Sequence, residues 1–131
     1  MMIVMANLRH HPAALAAAFL GALALAAAGC SGPPAGPPRT VTMSMNGYTF
    51  NGTNPTLTFA PGERVHFVVT NDEPTRVLHN FRIVGLDVPC GPPLPPGGRR
   101  EVIVSMPRSG EFAYTCCTHP GMGGKLVVAG R

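Results

Sequence analysis

From Thr40 onward no stretch of the chain sustains a helical period, and short alternating apolar runs follow one another between turn residues. This constrains the fold more than any other feature, because a strand with one buried face requires alternation at period two. Val41, Met43 and Met45 alternate with polar residues, and Tyr48–Phe50 and Thr56–Phe59 follow, with Asn51-Gly52 and Pro61-Gly62 as turns. Glu63–Thr70 alternates again and places Val65, Phe67 and Val69 on one face. Phe81–Leu86, Glu101–Met106, Glu111–Cys116 and Lys125–Ala129 supply further strands. Seven to eight short strands at this spacing predict an all-β domain, an antiparallel β-sandwich with Greek-key connections. Sixteen glycines, fifteen prolines and sparse charge suit a turn-rich β-protein better than a helical one. The proline-rich residues 89–96 (PCGPPLPP) lack ladder donors and are expected as a loop or sheet edge.

The first third of the chain has a different character. Residues 1–29 read as a signal segment, with Arg9, His10 and His11 before an apolar run from Ala13 to Ala28. That run is 16 residues long, short of the roughly 20 that span a bilayer. It ends in Ala27-Ala28-Gly29-Cys30, which resembles a bacterial lipoprotein signal, and the resemblance implies lipidation at Cys30 and a membrane anchor. An ordinary signal-peptidase site after Ala26-Ala27-Ala28 and a short uncleaved anchor are the other readings. All three place the domain outside the cytoplasm, on the periplasmic side of a bacterial cell envelope, where disulfides persist. Residues 30–39, including GPPAGPPR, are expected to form a Pro/Gly tether ahead of a domain at 40–131. Basic residues are scattered apart from Arg99-Arg100 and tryptophan is absent, so no nucleic-acid surface is expected.

The chemistry is concentrated near the C-terminus. Cys116, His119 and Met122 are spaced C-x2-H-x2-M, and His79 stands far upstream at the mouth of a predicted strand. One thiolate and two imidazoles with a weak thioether on the axis form the donor set of a one-electron copper site. Soft sulfur stabilises Cu(I), and imidazole serves both oxidation states. Zinc also accepts Cys and His, but a thioether is a poor zinc ligand. Strand alternation assigns the metal face to Phe112, Tyr114 and Cys116 and turns Cys117 to the other face. Other sulfur and imidazole groups fit plain structural roles. His66 alternates with core-facing neighbours and is expected to point outward, while Met43, Met45 and Met106 fit strand and core positions.

Around these residues the sequence resembles the cupredoxins, amicyanin and short plastocyanin-like domains among them. The resemblance rests on Gly110, Phe112, Tyr114 and Cys116, on His119-Pro120 and Met122 with the GKLVV strand after them, and on PGERVHFVVTN and His79-Asn80-Phe81 upstream. It spans roughly residues 40–129 and implies one copper ion held by His79, Cys116, His119 and Met122. It further implies that Asn80 ties the two ligand loops together and that electrons pass through the edge of His119, beside Pro120 and Gly121. The chain departs from the pattern at Cys117, where the family usually has Ser or Thr.

The expected function is that of an exported electron-transfer protein, a monomer shuttling single electrons between redox protein partners, and not an enzyme. Copper binding and delivery without a shuttle role is the alternative. A binuclear copper centre needs two bridging cysteines three residues apart, which adjacent Cys116 and Cys117 do not provide. Four cysteines frame one more expectation. With Cys30 lipidated and Cys116 on copper, Cys90 and Cys117 remain, either bridged or as two unrelated thiols.

Overall fold

A computed structural model describes residues 36–130. Eight strands form in the order β1 (Arg39–Asn46), β2 (Thr49–Phe50), β3 (Leu57–Phe59), β4 (Arg64–Asn71), β5 (Arg82–Val84), β6 (Arg99–Ser105), β7 (Gly110–Thr115) and β8 (Gly123–Val128). They make two four-stranded sheets with strand orders β2-β1-β4-β6 and β3-β8-β7-β5. The all-β sandwich expected from the alternating runs is what the chain forms. One part of that expectation is corrected: the sheets are mixed, because β1 pairs with β4 and β3 pairs with β8 in parallel. A parallel pair needs a crossover connection. Here the chain leaves β2, passes through β3 in the opposite sheet, and returns to lay β4 beside β1.

The alternating side chains meet between the sheets. Met43, Met45, Phe50, Val65, Phe67, Val69, Phe81, Tyr114 and Leu126 are fully buried there. Phe50, Phe81 and Tyr114 contact one another at ring-centroid distances of 5.1 to 6.4 Å, mostly edge to face, the arrangement that aromatic quadrupoles favour. The Tyr114 hydroxyl donates to the Pro55 carbonyl, and burial pushes its pKa up to about 12. β8 approaches β7 closely at two glycines. A Cβ at Gly123 would strike the Tyr114 carbonyl, and one at Gly124 would strike the Tyr114 hydroxyl and the Asn54 carbonyl.

Most strand boundaries move by one or two residues, and three of the shifts have a clear local reason. Arg39, expected to end the tether, opens β1: it pairs in register with Val65, lies over the Phe59 ring and binds Glu63 at 2.6 Å. Tyr48 leaves the second strand for the turn, since Gly47 and Tyr48 both adopt φ 59° between β1 and β2. β5 stops before Gly85, where φ is 84°. The proline-rich loop runs beside the sheet edge, with Val88 bridged to Ile83 and Leu94 bridged to His79. The signal segment, Cys30 and the tether up to residue 35 lie outside the described residues. Among the described residues no helix is long and apolar enough to cross a membrane.

Candidate metal centre

Two segments meet at one end of the sandwich. Cys116, His119 and Met122 follow the end of β7 on the turn that leads into β8. Their backbone is pinned by hydrogen bonds from the Cys116 amide to the Met122 carbonyl (2.9 Å) and from the Met122 amide to the His119 carbonyl (3.2 Å). His79 comes from the segment before β5, held to the proline-rich loop by reciprocal backbone hydrogen bonds with Leu94. Asn71 fixes that junction from β4, since its side-chain amide donates to the carbonyls of Val77 and Leu94 at 2.8 Å each.

The three nitrogen and sulfur donors converge. His79 Nδ1 lies 3.1 Å from His119 Nδ1, and Cys116 Sγ lies 3.8 Å from the first ring and 3.5 Å from the second. His79 is fully buried, Cys116 nearly so, and His119 half-buried. Met122 is buried in the same turn. A triangle with edges of 3.1, 3.5 and 3.8 Å has its centre about 2 Å from each corner, which is metal–nitrogen bonding reach. The residues therefore fit one metal ion. A soft thiolate with two imidazoles, and a thioether close by in the chain, is a donor set suited to copper.

The environment of Cys116 favours the thiolate. Burial alone would push the thiol up, but hydrogen bonds from the Asn80 amide and Thr118 and the neighbouring His79 outweigh it and bring the pKa down to about 6. The Asn80 amide stands 3.4 Å from Sγ and the Thr118 hydroxyl 3.1 Å. The Asn80 side-chain oxygen accepts from the Cys117 amide at 2.6 Å, so this residue touches both ligand-bearing segments. Cys117 points away from the donor cluster and is bonded to Cys90, with a Cα–Cα distance of 6.1 Å. Cys116 is the one free cysteine among the described residues.

Among the described residues, the remaining methionines and His66 stay away from the centre. Met43, Met45 and Met106 are core residues, and His66 faces outward, 2.7 Å from Glu101. Two residues at the centre escape sequence reasoning. The Tyr48 ring stands edge-on to His119 with centroids 4.9 Å apart. The Glu73 carboxylate lies 3.0 Å from His79 Nε2 and accepts from the Gly47 amide at 2.7 Å. The bond with His79 is the largest of the causes that hold the Glu73 carboxyl below the usual carboxylate range. Tyr48 reads in sequence as one more strand residue, and no motif or spacing singles out Glu73.

No protein-family model and no curated protein matches the chain. Solved structures do. Auracyanin B is 22% identical over 72% of this chain and 91% of its own, with a TM-score of 0.58. Reduced auracyanin from Roseiflexus castenholzii is 19% identical over 72% of this chain and 99% of its own, with a TM-score of 0.56. The copper-containing nitrite reductase of Thermus scotoductus SA-01 is 21% identical over 72% of this chain, with a TM-score of 0.59, and the match covers only 28% of that longer chain. The two sheets, their strand order and these likenesses give the chain a cupredoxin fold, with a His79–Cys116–His119 donor group at one end of the sandwich that fits a single copper ion.

Proposed function

We propose that this protein is an exported mononuclear copper protein that carries single electrons between redox protein partners, with His79, Cys116, His119 and Met122 as ligands. The observation that carries the reading is the convergence of two ring nitrogens and a thiolate-favouring cysteine within 3.8 Å of one another, next to a buried methionine in the same turn. When bound, copper in such a set supplies a one-electron couple, since soft sulfur stabilises Cu(I) and imidazole tolerates both states. The chain's own part is to hold the donors still. Asn80 and the Cys90–Cys117 bridge brace the ligand turn, Thr118 and the Asn80 amide stabilise the thiolate, and Leu94 fixes the His79 segment. Donors held in this way need little rearrangement when the charge of the site changes by one.

His119 is the half-buried donor, and around it Tyr48, Leu78, Pro120 and Gly121 are exposed. That apolar rim suits brief encounters with a redox partner, which are typically small and weak. A disulfide away from the metal face supports the export reading, because such bridges persist in oxidising compartments. Lipid attachment at Cys30 belongs to the same proposal. Four protein donors leave no coordination position for substrate, which favours a carrier over the reductases and oxidases that share the fold. Voltammetry of the copper-loaded protein tests the shuttle role: a reversible one-electron wave, unchanged by nitrite or dioxygen, is expected. A catalytic current with either substrate, or no reversible wave, contradicts it.

A further inference from the structure

The Glu73 carboxylate is buried, its side chain 7% exposed, in the loop that follows β4. A carboxylate in such a place is costly unless each oxygen finds donors. One oxygen, Oε1, makes two of the contacts. It lies 3.0 Å from His79 Nε2, so that ring nitrogen carries the proton and Nδ1 turns its lone pair toward Cys116 and His119. The same oxygen accepts from the Gly47 amide at 2.7 Å. Gly47 and Tyr48 form the turn between β1 and β2, and both have φ 59°. For glycine that conformation is free, but for tyrosine it is disfavoured, so something must hold the turn. What the turn accomplishes is to lay the Tyr48 ring edge-on against His119.

We propose that Glu73 is the positioning residue of the metal centre: one buried carboxylate fixes the ring of His79 directly and the ring of His119 through the Gly47-Tyr48 turn. The inference rests on the copper reading above for its redox consequence, but its structural half stands without metal. Outer partners of metal-bound histidines set ring orientation and tautomer, and their loss typically weakens metal binding by 10-fold or more. The negative charge also lies on the far side of a ligand ring, where it favours Cu(II) over Cu(I). Glu73 is thus distinct from Asn80, which acts on the cysteine side of the cluster.

The test compares the wild-type chain with Glu73→Gln, Glu73→Ala and, as a remote control, Glu101→Gln beside His66. Nitrogen-15 NMR of the metal-free protein reads the His79 tautomer, and copper titration with voltammetry reads affinity and potential. In the wild type a single Nε2–H form of His79 is expected. Glu73→Gln keeps an accepting oxygen but loses the charge, so the tautomer stays. The Cu(I)-to-Cu(II) preference then rises about 10-fold, a positive shift of about 59 mV for one electron. Glu73→Ala mixes the tautomers, shifts the Tyr48 ring signals and weakens copper binding about 10-fold. The control changes none of these. A single Nε2–H form persisting in Glu73→Ala, or an unmoved potential in Glu73→Gln, overturns the proposal. Should no form of the chain take up copper, the carrier reading fails, while the tautomer and the Tyr48 signals still decide the positioning role.

Discussion

Two adjacent cysteines with opposite fates summarise what residue-level chemistry can decide. Alternation along β7 turns Cys116 toward Tyr114's side of the sheet and Cys117 away, and the structure buries the first in the donor cluster and bonds the second to Cys90. Cys116→Ser should therefore abolish the intense thiolate-to-copper band, while Cys117→Ser should retain it, as read in the visible spectrum. Tyr114 offers a test that needs no metal. Its pKa is raised from 10.0 to about 12 by burial, so the neutral form belongs to the folded state. That contribution is complete below the unfolded value and is lost as pH rises through the folded one. Stability in denaturant should fall between about pH 10 and 12 in the wild type and less steeply in Tyr114→Phe, which also loses roughly 1 kcal/mol with its hydrogen bond to Pro55. The donor residues were legible because their types and spacing are rare. Glu73 and Tyr48 were not, because a turn acid and a strand aromatic acquire meaning only when separate loops are brought together.

At the scale of elements, the strands were legible and their partners were not. Period-two alternation marks β1 and β4 locally and short β-rich runs between turns mark the others, whereas the parallel pairing of β1 with β4 depends on where β3 crosses to the other sheet. The proline-rich loop shows the same limit. Its lack of ladder donors predicts a loop, yet its anchor is Arg100 on β6, read in sequence only as half of the basic pair Arg99-Arg100. The Arg100 guanidinium donates to the carbonyls of Phe81, Pro89 and Cys90, and burial pushes its pKa down. Arg100→Ala strips three acceptors of their partner and should cost about 1–3 kcal/mol in denaturant unfolding, with faster hydrogen exchange in residues 89–94. Arg99, exposed beside Glu101, should tolerate alanine with little change. In the ligand turn, Met122→Gln should keep copper bound and lower the reduction potential, since a harder axial donor favours Cu(II). An unchanged potential would place Met122 away from the metal.

At the scale of the whole molecule, a domain of this size has a limited core, and a covalent bridge and a metal are common supplements. The Cys90–Cys117 bridge closes a separation of 27 residues and joins the proline-rich loop to the ligand turn. Replacing both cysteines by serine should cost about 3 kcal/mol and lower the Tm by more than about 10 °C in calorimetry, with the thiolate band retained. The same bridge removes a competing thiol from beside Cys116, which keeps one sulfur for the metal. Attachment through Cys30 predicts recovery of the native protein in the membrane fraction and release on Cys30→Ala, and a fully soluble mature protein lacking Cys30 would contradict it. The centre itself is tested most directly by adding Cu(II) to the purified, metal-free protein and recording the visible spectrum. An intense blue or green band that saturates at one copper per chain and bleaches on one-electron reduction is the expected result; copper bound without that band, or no copper bound, would contradict a mononuclear thiolate–copper centre built on His79, Cys116, His119 and Met122.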